Sequence, residues 1–288
     1  MKISVARALG TCFGVQDAID AAMDESFRDN LTIVGQLVHN PQIVAQLLDN
    51  GVRIVDSIDD PIDTNNVMIT AHGAPASLKA ELEKRGHTVF DASCPLVLKV
   101  HVKVARLVRD GFFPVVIGQR NHVEVRGIVG DLEEFDVIRD VEEIDRLAER
   151  ERVGIVCQTT QQVETARGIV AAIEERYPDK EVQFVDTICR PTKDRQEAVR
   201  ELTELVDIMI VVGGYNSSNT KKLKKVCDDR GLAAYHVERP DEIDSQWFVG
   251  RSHVGITAGT STPHAVIEDV RKHIEELTQT PARGGVST

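Results

Sequence analysis

Three cysteines, Cys12, Cys94 and Cys189, stand in one kind of local setting at distant points of the chain: KISVARALGTCFGVQDAI, TVFDASCPLVLKVHVKV and VQFVDTICRPTKDRQEAV. Each segment reads as a short β-branched run, a turn carrying the thiol, and then a helical pattern. One such turn from each of three similar lobes can grip one metal centre from three sides. The number matters as much as the residue type. An iron held by four protein thiolates is closed, whereas a centre held by three leaves a position for substrate. Cys157 and Cys227 match no such setting and read as small buried hydrophobes.

Two further motif types recur with the cysteines. One is strand, polar loop, helix: TIVGQLVHNPQIV with His39 and Asn40, PVVIGQRNHVEVRGI with His122 and Glu124, and IMIVVGGYNSSNTKKL with Ser217, Ser218 and Asn219. The other is NVMITAHGAPASLKAEL with His72, RVGIVCQTTQQVETARGI with Thr159 and Thr160, and HVGITAGTSTPHAVIEDV with Thr260 and Ser261. His, Ser, Thr and Asn at helix starts donate hydrogen bonds to phosphate, and the helix amides behind them add positive potential. A phosphate ligand fits, with a diphosphate as the natural choice. The remaining histidines, His87, His101, His236, His253, His264 and His273, read as solvated.

The elements that position these residues follow from their order. Along the chain it is loop, loop, Cys, and then the same again, and the last unit has its two loops but no downstream Cys. The segment with Cys12 fills that gap if the first strand, near Lys2–Ala6, joins the strands around Asp207–Val212 and Val254–Thr257. Self-similarity of this kind is a fold-level signal. Apolar runs at 31–35, 52–55, 67–71, 88–90, 114–118, 153–157, 182–185, 208–213 and 254–257 read as buried parallel strands. Helical patterns, such as 78–86 and 167–178, follow nearly all of them. The fold class is α/β, with small parallel sheets in three pseudo-threefold-related lobes. The lobes are 13–95, 96–190, and 191–277 plus 1–12; the aperiodic tail 278–288 is expected to fray. Ligands of parallel sheets bind beyond the carboxyl ends of the strands, so all nine motifs can converge on one central cavity.

Composition narrows the function classes. The chain has 288 residues, with 34 Lys and Arg against 46 Asp and Glu, a net charge of −12. That balance argues against nucleic acid or an anionic membrane as partner. No secretory signal opens the chain, and no run approaches about 18 apolar residues. Five widely spaced cysteines suit a reducing cytoplasm and metal or catalytic thiols. No C-x-x-C pair is present, nor G-x-x-x-x-G-K-[ST], nor G-x-G-x-x-G after a strand, so neither a zinc ribbon nor a bound nucleotide is implied.

The motifs carry a resemblance. GTCFGV at 10–15, LVHNP at 37–41, TAHGAP at 70–75, DASCPLVLKVH at 91–101, NHVEVRG at 121–127, QTTQ at 158–161, DTICRPTKDRQEA at 186–198, VVGGYNSSNT at 211–220 and TAGTSTP at 257–263 closely resemble the 4-hydroxy-3-methylbut-2-enyl diphosphate reductases. This is the IspH or LytB family of the methylerythritol phosphate route to isoprenoids. The resemblance runs from residue 1 to about 277 and implies a cloverleaf of three α/β lobes around a central iron–sulfur cluster. It implies that Cys12, Cys94 and Cys189 bind a 4Fe–4S cluster with one iron unligated by protein. It assigns His39, His72, His122, Ser217, Ser218, Asn219 and Ser261 to the substrate diphosphate, and Glu124 and Thr159 to the substrate hydroxyl. The implied reaction is a two-electron, two-proton removal of the allylic hydroxyl as water, giving isopentenyl and dimethylallyl diphosphates. Ferredoxin or flavodoxin is the implied electron donor.

Each cysteine opening a helix is expected to have its thiolate favoured by the helix dipole. Lys221, Lys222, Lys224 and Lys225 form a solvated helix face or a dock for an acidic donor. The chain departs from the family pattern at Val123, where Pro is usual, at Thr11, where Phe is usual, at Ala74-Pro75, and at GQRN, which puts Arg120 near the site. The alternatives are a paralogue acting on another allylic diphosphate, a zinc enzyme with water at the open position, and a phosphate-ligand-binding metalloprotein.

Overall fold

The structure, a computed structural model, describes residues 1–279. Its strands form three four-stranded sheets, and every pairing is parallel. β2 (Leu31–Val34), β3 (Arg53–Val55), β4 (Asn66–Ile69) and β5 (Thr88–Asp91) make one sheet in the order β3-β2-β4-β5. β6 (Phe113–Ile117), β7 (Asp136–Ile138), β8 (Arg152–Cys157) and β9 (Glu181–Phe184) make the next, β7-β6-β8-β9. The third takes β10 (Ile208–Val212), β11 (Ala234–Val237) and β12 (His253–Ala258) with β1 (Lys2–Val5) in the order β11-β10-β12-β1. All three orders are one topology. β1 occupies the place that β5 and β9 fill elsewhere, with Lys2 opposite His253 and Val5 opposite Ile256. The first strand therefore joins the strands the sequence assigned to it.

The two central strands of each sheet are covered on both faces and read as near-continuous apolar runs; IMIVV of β10 is buried throughout. The outer strands are shorter or half-exposed. Two of them, β7 and β11, are absent from the sequence expectation. Both are short edges, and each occupies the place in its repeat that β3, already visible at 52–55, has in the first.

Among the described residues, nine α-helices follow strand ends. α2 (Pro41–Asp49), α5 (Val123–Val129) and α8 (Ser218–Asp228) follow β2, β6 and β10. α3 (Ala76–Lys84), α6 (Val163–Arg176) and α9 (His264–Gln279) start shortly after β4, β8 and β12. α1 (Phe13–Ala22), α4 (Pro95–Arg109) and α7 (Arg190–Thr203) follow β1, β5 and β9. The two polar motif types thus sit after central strands and the cysteines after edge strands. Of the expected tail, Thr278 and Gln279 end α9, and 280–288 lie outside the described residues. No helix among the described residues is long and apolar enough to cross a membrane.

The chain divides into two compact units: Cys12–Lys193, and Met1–Thr11 with the chain from Asp194 onward. In the larger unit the two sheets meet directly. Asp131 takes the amides of Ala76 and Ser77 at the start of α3, at 2.6 and 3.2 Å. A Cβ on Gly127 of α5 would stand 3.3 Å from the Gly73 carbonyl, so glycine permits this approach.

Candidate functional site

In the larger unit, turns from both sheets bring three imidazoles together. Ring centroids are 4.5 Å apart for His39 and His72, 5.5 Å for His39 and His122, and 5.6 Å for His72 and His122. The backbone fixes them by separate means. Asn40 caps α2, its side chain accepting from the amides of Gln42 and Ile43 at 2.9 and 3.2 Å. His122 caps α5, its Nδ1 accepting the Glu124 amide at 3.1 Å. A neutral imidazole that accepts at Nδ1 carries its proton on Nε2, so His122 presents a donor. His72 is held well below the ordinary histidine range by burial, with His39 and His122 adding repulsion. Its Nε2 is buried without a hydrogen-bond partner. An arriving phosphate would supply the acceptor that the buried His72 nitrogen lacks.

Glu124, two residues along α5, is 1% exposed. Its carboxyl accepts the Thr159 amide at 2.6 Å and the Thr159 hydroxyl at 2.9 Å. Burial pushes its pKa up to about 7, against the pull of both Thr159 bonds. A carboxyl poised near neutrality is suited to give a proton. Since the amide can only donate, the proton of the neutral acid sits on the oxygen facing the Thr159 hydroxyl, which then reverses to accept. Thr159 also holds a cysteine turn, its carbonyl taking the Cys189 amide at 3.0 Å. In the other sheet the Ala71 carbonyl takes the Cys94 amide at the same distance. The polar loops and the cysteine turns are thus built on each other.

Cys12 and Cys94 stand at the N-caps of α1 and α4, and neither side chain is used as a cap. Cys189 immediately precedes α7, its Sγ 3.1 Å from Thr192 Oγ1. Cys12, Cys94 and Cys189 are all partly exposed, whereas Cys157 and Cys227 are buried, as expected of small core residues. Burial raises the Cys94 thiol and pushes Cys189 up to about 11. For these two, desolvation outweighs the helix amides, contrary to the expectation of favoured thiolates. Cys12 and Glu124 both act electrostatically on Cys94 and Cys189, so the four groups share one neighbourhood. A Cβ on Gly14 would overlap the Cys94 sulfur. Among the described residues, no three His, Cys, Asp or Glu side chains stand close enough together to hold a single metal ion. The donor set nonetheless fits an iron–sulfur cluster: three sulfurs at helix starts, those of Cys12 and Cys94 uncommitted to capping, with a glycine leaving space beside one of them.

The smaller unit carries its own polar set. Ser217 caps α8, accepting the Thr220 amide at 3.3 Å. Ser218, Asn219, Thr260 and Ser261 are buried. Both amide atoms of Asn219, and the hydroxyls of Thr220 and Thr257, are buried without a hydrogen-bond partner among the described residues. A buried amide left unpaired costs about 1–3 kcal/mol, so the helix start is built for a polar ligand.

The sequence pattern of the LytB protein family matches residues 3–275. The chain belongs to the LytB family. The 4-hydroxy-3-methylbut-2-enyl diphosphate reductase of Aquifex aeolicus (strain VF5) is 38% identical over 284 residues, covering 96% of this chain and 97% of that protein. That of Geobacter sulfurreducens is 38% identical over 279 residues, covering 96% and 98%. The solved structure of the E-1-hydroxy-2-methyl-but-2-enyl-4-diphosphate reductase from Plasmodium falciparum superposes with a TM-score of 0.87 at 27% identity, covering 97% of this chain and 89% of that one.

In this LytB chain two of the departures from the family pattern, Thr11 and Arg120, have local partners. Thr11 donates to the Thr262 carbonyl at 3.1 Å. Arg120 pairs with Asp136 at 2.8 Å and donates to the Val137 carbonyl. His101 is not solvated. Its Nε2 is buried without a partner, and a Cβ on Gly73 would stand 3.4 Å from it. His87 and His236 bond to the carbonyls of Thr64 and Gly213, and His253 to Ser4. Arg195, 7% exposed, donates to the Gly10 carbonyl at 2.5 Å and so steadies the turn before Thr11. Sequence reasoning missed it because an arginine within RPTKDRQEAV looks like one more solvated charge.

Proposed function

We propose that this LytB protein is a 4-hydroxy-3-methylbut-2-enyl diphosphate reductase of isoprenoid biosynthesis. The observation that carries the reading is a concurrence within one compact unit: the imidazole triangle, the buried Glu124 carboxyl with its pKa near 7, and the helix-start thiols Cys94 and Cys189, which feel both Glu124 and Cys12. Kinship over 96% of the chain supports a reductase over a phosphate-ligand-binding protein.

Cys12, Cys94 and Cys189 would hold a 4Fe–4S cluster, which when bound supplies electrons and an open Lewis-acid position for the hydroxyl oxygen. His39, His72 and His122 bind the diphosphate, donating from ring nitrogens. Ser217, Ser218, Asn219 and Ser261 offer phosphate further donors at the start of α8 and in the loop before α9. Glu124 protonates the departing hydroxyl, since hydroxide is a poor leaving group, and Thr159 orients that proton. The allylic C–O bond breaks with two electrons. One proton leaves in water and the other ends on the allylic carbon frame, giving isopentenyl or dimethylallyl diphosphate. Electrons come singly from ferredoxin or flavodoxin, and the thiol ligands favour a reducing cytoplasm. We divide the chain into lobes at 13–95, 96–190, and 191–277 with 1–12, in accord with the three matching sheet orders.

The test is anaerobic reconstitution with iron and sulfide, followed by dithionite and the hydroxymethylbutenyl diphosphate. The expected result is five-carbon diphosphate products without the hydroxyl. Unchanged substrate from protein with a full complement of iron and sulfide would overturn the reading.

A further inference from the structure

The proposed reduction consumes two electrons per turnover, and the chain has no glycine-rich motif to hold a nicotinamide or flavin of its own. Electrons must therefore enter from a separate molecule at some place on the surface. α4 lies in an acid-free basic stretch of this acidic chain; another is 208–227, with the α8 lysines. From Ala92 to Arg109 there is no Asp or Glu, while Lys99, Lys103, Arg106 and Arg109 are all present and exposed. At 100° per residue these four fall on one side of the helix with Leu98 and Val102. The opposite side, Val97, Val100, Val104 and Leu107, is buried. Val102 is 67% exposed and Leu98 37%. Among the described residues only Asp110, at the C-cap, pairs with the stripe, 3.5 Å from Arg106 and 3.7 Å from Arg109. Lys99 and Lys103 have no ion pair among the described residues. In the other basic run two of the four lysines are compensated locally: on α8, Lys224 pairs with Asp228 at 2.8 Å and Lys225 with Asp229 at 2.7 Å.

We propose that the outward face of α4 is the docking surface for an acidic one-electron carrier protein, with Lys99 and Lys103 meeting its carboxylates and Leu98 and Val102 making the apolar contact. This rests on the reductase reading. Two features besides charge favour it. The helix begins at Cys94, so Lys99 lies only about 7.5 Å and Lys103 about 13 Å further along the axis at 1.5 Å per residue. A docked carrier is thereby held near one of the proposed cluster ligands. A basic stripe on a molecule of net charge −12 also orients the encounter, because it attracts an acidic partner that the acidic remainder repels.

The test uses the reconstituted protein with a reduced acidic ferredoxin and, separately, with dithionite. K99E/K103E is expected to raise the KM for ferredoxin at least tenfold at low salt and to flatten its salt dependence, while dithionite-driven turnover stays within twofold of the unsubstituted protein. K224E/K225E on α8 is expected to leave both unchanged. Carbodiimide coupling, which needs no turnover, is expected to join ferredoxin carboxylates to Lys99 or Lys103, and 0.5 M salt is expected to abolish it. Coupling at the α8 lysines instead, an unchanged ferredoxin KM in K99E/K103E, or binding of α4 to anionic phosphatidylglycerol vesicles but not ferredoxin would overturn the proposal. Loss of dithionite-driven turnover in K99E/K103E would also overturn it, by marking a structural role. Absence of dithionite-driven turnover in the unsubstituted protein would instead strike at the reductase reading.

Discussion

Glu124 joins burial, hydrogen bonding and proton chemistry in one side chain. Its pKa is raised from 4.5 to about 7, so its contribution to stability is complete below pH 4.5 and is lost as pH rises through 7. A shift of that size is worth about 3 kcal/mol at 1.36 kcal/mol per unit. Urea unfolding of the cluster-free protein should show this decline, and E124Q, which stays neutral, should lack it. With reductant saturating, turnover of the unsubstituted protein should fall on the alkaline side of about pH 7. E124Q should be slower by about 10²–10⁴-fold and lack that limb, because proton donation is needed only as the C–O bond breaks. His39→Asn and His122→Asn should chiefly raise KM, since phosphate contacts persist from ground state to transition state. Sequence reading singled out Glu124 and Thr159 but not the bonds between them, which join residues from different strands, nor the raised pKa, which comes from burial. Cys94 and Cys189 show the same limit. Their helix-start positions were legible, whereas the desolvation that raises their pKa values depends on packing that no local motif reports.

At the scale of elements, the repeat carried most of the fold. The shared order of loop, loop and Cys assigned β1 to the sheet of β10 and β12, and the pairing of Ile3 with Val254 and Ser4 with Gly255 agrees. Deleting residues 1–6 should therefore reduce amide hydrogen-exchange protection along His253–Ala258 while leaving β2 and β4 protected. Loss of protection in Leu31–Val34 instead would contradict this assignment. Helix ends were legible to within a few residues: α3 starts two residues before the expected 78 and α6 four before 167, because polar caps and turns outside the apolar period set the boundaries. Edge strands were least legible, since a three-residue pairing such as β7 leaves little periodicity to read. The approach of α1 to α4 gives a further test. Gly14→Ala would drive a methyl into the Cys94 sulfur, so it should lower iron content after reconstitution while leaving the circular dichroism of the apo protein nearly unchanged. Iron content equal to that of the unsubstituted protein would show that Cys94 has freedom the packing denies it.

For the whole molecule, three sheets of one topology present nine strand-end turns, and the central claim is that the three with cysteine hold one cluster whose fourth iron is left to the substrate. Cys12→Ser, Cys94→Ser and Cys189→Ser should each sharply reduce bound iron. Cys157→Ala and Cys227→Ala should not, as both are core side chains. The most direct measurement is Mössbauer spectroscopy of protein reconstituted with ⁵⁷Fe, before and after addition of the hydroxymethylbutenyl diphosphate. The account predicts about one quarter of the iron signal in a distinct site that shifts when the diphosphate binds, the remainder staying put. Four equivalent irons unmoved by the diphosphate, or a protein that takes up zinc and no iron–sulfur cluster, would contradict it.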